Sequence, residues 1–209
     1  MQKITEAIKH LKFGVSGIIV FDIDDTLIRA NSNNIKIIKY INGDRNNIKY
    51  LSTAEFAKDE DVKQHRDWFD FREFNTPNKV IDSIISGQPI IRNLRILDAY
   101  INAGYEFCFL TARGCEDAVT YAIETFIKYR DKDGILKSIS PKLNKKLSAA
   151  INDVNKNYKG DNDPEKKANV LRKLCKLFDH VVFVDDDKKN RQNANDLGLS
   201  NLVVIKAWD

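Results

Sequence analysis

Cysteine, histidine, proline and long apolar runs are all scarce in this chain, and the shortages narrow what it can be. The three cysteines (Cys108, Cys115, Cys175) are odd in number and form no CxxC pair, so reduced thiols in a cytosolic compartment are expected. The three histidines (His10, His65, His180) lack metal-ligand spacing and read as surface or strand-edge residues. No run of about 18 apolar residues occurs, so no membrane-spanning segment and no membrane partner are expected. The N-terminal MQKITEAIKHLKFG repeats apolar residues at Ile4, Ala7, Ile8 and Leu11, an amphipathic helix pattern rather than a signal peptide. There is no internal repeat, no low-complexity linker and no Walker motif, since GVSGIIVF lacks the Gly-Lys-Ser/Thr ending. Charge is nearly balanced, 34 basic against 30 acidic residues. That balance permits phosphate-bearing partners without demanding nucleic acid.

What is present is an α/β pattern. GIIVF (17–21), YEFCFL (105–110), HVVFV (180–184) and LVVIKAW (202–208) are short continuous apolar runs, and helical patterns lie between them at about 92–103, 116–130 and 164–178. Unbroken apolar strands alternating with helices predict a doubly wound, mostly parallel sheet covered on both faces. Gly104 and Gly198 stand where helices should stop, and Asp163-Pro164 reads as an N-cap followed by the first helical residue. This divides the chain into a core of residues 1–29 and 91–209, a small cap inserted at 30–90, and an irregular or helical secondary insertion at 131–162. Within the cap, Asn42-Gly43-Asp44 reads as a hairpin turn.

Three carboxylates, Asp22, Asp24 and Asp25, crowd the end of the first strand. They repel one another, and a bound cation is a reason to assemble them. Other strands also end in polar residues, at Thr111 in FLTARG and at Asp185 in FVDDDKKN. Function in such a sheet collects at the carboxyl ends of the strands. If extended geometry continues past the strand, Asp22 and Asp24 share a side, and Asp185 completes an oxygen cage suited to Mg2+ with a substrate phosphate. An EF-hand reading of DIDDTLIRANSN fails, because Leu27 and Asn33 stand where Gly and Glu are required. A thiol phosphatase also fails, since Cys108 lies inside an apolar strand.

FDIDDTL, FCFLTAR, a lysine opening a helix, and VVFVDDDKKN, in this order, resemble the four motifs of the haloacid dehalogenase (HAD) superfamily. The resemblance covers most of the chain outside 30–90 and 131–162. LSTAEFAKD and FDFREF are further similar to HAD-like proteins of bacteriophages. The form with Asp at the second motif position resembles phosphatases and phosphotransferases. The resemblance implies Asp22 as nucleophile forming an aspartyl-phosphate and Asp24 as general acid and base, its backbone carbonyl also a metal ligand. It also implies Asp185 as a Mg2+ ligand, Asp186 as a ligand or its support, and Thr111 and a lysine as phosphate-binding groups.

Several residues keep two readings. The resemblance implies a lysine close to four residues before an apolar helix position, which favours Lys167, four before Leu171, over Lys166 for the phosphate site; either could be a solvated first-turn residue. Arg113 could grip a substrate phosphate bidentately or pair with a nearby carboxylate. Asn190 could order the fourth motif or start a helix, and Asp25 is taken as a turn or solvent residue. Trp68, Phe69, Phe71 and Phe74 in HRDWFDFREF could stack on a base but suit the core of the cap better. KLNKKLSAAINDVNKNYK is a solvated face or a basic helix guiding a nucleic-acid end. The expected activity is a Mg2+-dependent phosphomonoester hydrolase acting on a nucleotide or a polynucleotide 3′-phosphate. Its partner is then a phosphorylated small molecule or a nucleic-acid end, with host cytoplasm or a virion as its location if phage-encoded. The alternatives are a phosphotransferase, or a phage structural or binding protein retaining the fold.

Overall fold

The apolar runs form strands because β-branched and aromatic side chains fill both sides of a pleat that is covered above and below. In the computed structural model, which describes residues 7–29, 35–130 and 148–207, five strands build one sheet: β1 (Gly17–Phe21), β2 (Glu106–Thr111), β3 (Ser148–Ala150), β4 (His180–Asp185) and β5 (Leu202–Lys206). Their order is β5-β4-β1-β2-β3, and every pairing is parallel. Alternation along β1 sends Ile19 and Phe21 to one face and Ile18 and Val20 to the other. The first face is covered by α1 (Pro77–Ile85), α2 (Ile91–Asn102) and α3 (Glu116–Arg130), through residues such as Val80, Leu97 and Phe126. The second is covered by α4 (Asp163–Leu174) and α5 (Lys188–Asn195), through Leu171 and Ala194. This is an α/β architecture of the Rossmann-like kind. No helix of the described residues is long and apolar enough to cross a membrane.

Gly17 is required by close approach. A Cβ there would lie 2.4 Å from the Tyr105 ring, far inside contact distance. Tyr105 in turn hydrogen-bonds His180 Nδ1 at 2.6 Å beneath the amino end of the sheet.

Three boundaries differ from the sequence expectation. First, the 30–90 interval is not one body. Residues 37–40, 48–51 and 69–70 form a three-stranded antiparallel sheet around Ile37, Leu51 and Phe69, with Phe56, Val62, Trp68, Phe71 and Phe74 packed on them. The aromatic residues of HRDWFDFREF therefore serve this small core. Its hairpin turns where expected, with Asn42 and Gly43 at φ 52° and 78°. The later part, α1, belongs to the main core through Val80 and Ile84. Ile28–Arg29 pairs antiparallel with Gln88–Pro89, so the excursion leaves and re-enters the core side by side.

Second, the 131–162 interval contains the edge strand β3. Three residues of Ser and Ala have little strand propensity of their own, and only pairing with Phe109–Thr111 makes them a strand. Third, the N-cap of α4 is Asn162, whose Oδ1 accepts from the Glu165 amide at 3.0 Å, and Asp163 is already helical. Ile4, residues 131–147 with KLNKKL, and Trp208 lie outside the described residues. Ala7, Ile8 and Leu11 of the N-terminal apolar pattern do pack on the main core.

Candidate functional site

The chain runs from β1 outward to β2 and β3 on one side, then crosses to β4 and β5 on the other. β1 and β4 therefore flank the topological switch point, where a crevice opens at the carboxyl ends of the strands. It has a volume of about 820 Å3, and Asp22, Asp24, Lys167, Asp186 and Asn190 are among its walls.

Asp22 follows β1 directly, its amide still bonded to Val184 O at 2.9 Å. The chain then folds back on itself. Leu27 N and Ile28 N both donate to Ile23 O, and Asp25 takes a left-handed φ of 55°, which Asp tolerates. Extended geometry thus stops at once. Asp22 and Asp24 both border the crevice, but they face different cations.

Asp22 faces Lys167. This lysine is 2% exposed, and its Nζ lies 2.7 Å from Asp22 Oδ1 and 2.8 Å from Asp185 Oδ2. Burial alone would lower its pKa, but the two carboxylates outweigh burial and hold it well above the ordinary lysine value. Lys166, one residue away, turns about 100° round the helix and bonds Asn152 Oδ1 at 2.7 Å. Of the two, Lys167 is the lysine in the cluster.

Asp185, fully buried, also accepts from the Asp187 amide at 2.8 Å and from Asn190 Nδ2 at 3.0 Å. Asn190 thus both lies in α5 and orders the loop after β4. Asp186 receives the Thr26 hydroxyl at 3.0 Å and returns its own amide to the same oxygen at 3.0 Å. Burial, and then the charge of Asp185, push the Asp186 carboxyl up to about 6. Asp22 is likewise raised well above the usual carboxylate range, first by burial and then by Asp185 and Asp24, against the opposing pull of Lys167.

Asp24 faces Arg113 instead. The guanidinium, 1% exposed, grips both oxygens at 2.7 and 2.8 Å and bonds Ser83 Oγ of α1 at 2.6 Å. Binding of a substrate phosphate by Arg113 is therefore not what its contacts support, because the fork is already engaged by a carboxylate. Thr111 is fully buried and accepts from the Arg113 amide at 3.2 Å; Ala112 borders the crevice in its place. Cys108, inside β2, is pushed by burial to about 12, which leaves no reactive thiolate.

Ligand oxygens of Asp22, Asp185 and Asp186 lie within 4.8 Å of one another. Lys167 pairs with Asp22 and Asp185 but not with Asp186, whose carboxylate bonds the Thr26 hydroxyl, and the Arg191 guanidinium donates to the backbone carbonyls of Asp185 and Asp186. An all-carboxylate oxygen set beside an open crevice fits a hard divalent cation. The Asp24 carboxylate stands outside this set.

The sequence assigns no role to Thr26, Ser83 or Asn93, and it offers Arg66 only as one of the basic residues of HRDWFDFREF that could grip a phosphate beside the aromatics. Thr26 sits inside DIDDT, which was signal enough. Asn93, fully buried, donates to Thr26 O at 2.6 Å and so braces the loop; a polar residue on an apolar helix face was its one trace. Arg66 comes from the three-stranded insert and reaches the crevice wall, its guanidinium 5.2 Å from the Phe71 ring centroid. No protein-family model matches the chain, and no curated protein matches it.

Proposed function

We propose that this protein is a Mg2+-dependent phosphomonoester hydrolase of the HAD type, working through an aspartyl-phosphate on Asp22. The observation that carries the reading is Lys167 Nζ bridging Asp22 and Asp185 at 2.7 and 2.8 Å, at the switch point of a parallel sheet and on the wall of an open crevice. A carboxylate assembly of this kind suits phosphoryl transfer, whose catalysis is mostly positioning and neutralisation of charge.

In this reading an Asp22 oxygen attacks phosphorus in line with the leaving oxygen, and the ester bond breaks as the Asp22–phosphorus bond forms. Lys167 holds the nucleophile in place from one side and offsets negative charge on the transferring group. Asp24 would take a proton from the water that hydrolyses the acyl phosphate, and the proton it gives to a departing oxygen would be the one gained in the preceding turnover. Arg113 and Ser83 fix where that carboxylate stands, and the water-activation half needs only a free lone pair on it. Asp22, Asp185 and Asp186 would hold Mg2+, which supplies a positive charge beside the phosphoryl oxygens. The insert at 35–75 acts as the cap, contributing Arg66 to the wall above the nucleophile. The substrate is a nucleotide or a polynucleotide terminal phosphate.

The test is turnover of a generic aryl phosphate with Mg2+ and with EDTA. Wild type should hydrolyse it only with Mg2+, and Asp22→Asn should reduce kcat by roughly a thousandfold or more while the protein still melts cooperatively. Wild-type turnover by Asp22→Asn would remove the nucleophile assignment.

A further inference from the structure

A second concavity of about 220 Å3 lies beside α4, bordered by Lys159, Lys166, Arg172, Lys173 and Lys176, with Tyr158 among its walls. No carboxylate lines it, and among the described residues none of the five cations forms an ion pair. That is unusual in a chain with nearly as many acids as bases, where a solvated helix face commonly carries both signs. The arrangement is also ordered. Lys166 and Lys173 are seven residues apart on one helix, hence on nearly the same face and about 10 Å apart along the axis. Lys166 borders both this groove and the crevice. The two concavities are separate but neighbouring, and Lys166, whose Nζ bonds Asn152 Oδ1 at 2.7 Å, stands between them.

Tyr158 lines the groove while also packing on the core cluster of Val20, Leu110 and Leu171. Its hydroxyl donates to Glu116 Oε2 at 2.6 Å, which fixes the ring. A positive track beside a fixed aromatic ring is the pattern by which proteins hold a single strand without reading its sequence. An acidic peptide would need the cations but not the ring.

We propose that the groove beside α4 binds single-stranded nucleic acid, with backbone phosphates on Lys159, Lys166, Arg172, Lys173 and Lys176 and a base against Tyr158, so that the strand's end enters the crevice. This rests on the phosphatase reading for what happens to the end, but the binding itself does not. Among the substrates left open above, it selects a polynucleotide end over a free nucleotide.

The experiment measures fluorescence anisotropy of a labelled single-stranded oligonucleotide without a terminal phosphate, in EDTA, across a salt series. It compares wild type, the triple variant Lys159→Ala/Lys173→Ala/Lys176→Ala, and a charge-matched control, Lys9→Ala/Lys128→Ala/Lys206→Ala. All six lysines are exposed, so folding should survive. The groove variant should bind at least about tenfold more weakly, and its slope of log K against log salt should shrink by about 2, roughly 0.7 per lost phosphate contact. The control should keep both values near wild type. Equal losses in the two variants, or no binding by wild type, would overturn the proposal. So would a polyglutamate peptide that binds as tightly and is lost in the same variant, because the groove would then be an acidic-protein site. Aryl phosphate turnover is measured on the same preparations and should be equal in all three. No turnover in any of them, with binding still lost only in the groove variant, would sink the phosphatase reading and leave the groove standing. With turnover present, oligonucleotides bearing 3′- or 5′-phosphates then identify which end is processed.

Discussion

Strand β4 begins at a buried histidine and ends at a buried aspartate, and its two ends are built on opposite principles. At the amino end, His180 is 1% exposed, shares one hydrogen bond with the Tyr105 hydroxyl, and faces Lys12 and His10. At the carboxyl end, Asp185 is fully buried among Asp22, Asp186 and Lys167, beside open solvent space. The first is a polar contact that closes the core with ring and hydroxyl. The second concentrates charge where charge is costly to bury, beside a crevice of about 820 Å3. The difference is one of burial cost: the amino end packs a ring against a hydroxyl, whereas the carboxyl end gathers three carboxylates and a lysine beside a crevice.

The strongest way to break this comparison is to remove each sign of charge in turn at the carboxyl end. Lys167→Met should abolish turnover and also destabilise the protein by about 3–5 kcal/mol, because it leaves Asp22 and Asp185 buried with no cation. Asp22→Asn should abolish turnover with stability unchanged or raised, since it removes one of several repelling charges. Urea melts of the two variants check the opposite signs. Equal destabilisation by both would mean that the cluster is an ordinary buried ion pair.

A smaller effect tests whether the carboxylate cluster takes a cation. Mg2+ at about a hundredfold excess over its Kd should stabilise wild type by about 2.7 kcal/mol, a rise in Tm of roughly 5–10 °C for a chain of this size. Asp185→Asn should remove most of that rise. If the shift persists in the variant, the cation is bound by other residues.

The smallest effect is expected at the amino end. Burial, then the nearby Lys12 and His10, hold the His180 ring below its ordinary value. The unfolded chain therefore takes up a proton near pH 6.5 that the native state resists. The His180 contribution to stability should fall as pH drops below about 6.5, read as the difference between wild type and a His180 variant, because the raised carboxyls of Asp22 and Asp186 act with the opposite sign at lower pH. His180→Phe should flatten that decline, and aryl phosphate turnover at neutral pH should stay at the wild-type rate. Loss of turnover would show that the two ends of β4 are coupled after all.

Much of this architecture was legible in the chain. β1 spans the residues its apolar run marks, and three further strands fall within about two residues of theirs, because a strand buried on both faces needs no partner to be recognised. The fifth, Ser148–Ala150, was not legible: its residues are weak strand formers, and only hydrogen bonds to β2 define it. The candidate site divides in the same way. Asp22, Asp185 and Lys167 come together as their strand ends and helix start suggest. The fate of Asp24 and Arg113 does not follow from spacing, since it depends on a left-handed turn at Asp25 and on Ser83 of α1 reaching the same guanidinium.

By itself the sequence determined the parallel sheet and the gathering of acidic residues at its carboxyl edge, because hydrophobic continuity and strand direction are local properties of the chain. Only the tertiary structure decided which cation meets which carboxylate. Those pairings join residues 18 to 145 positions apart, and an ion pair is fixed by distances of about 3 Å that no spacing along a chain can specify.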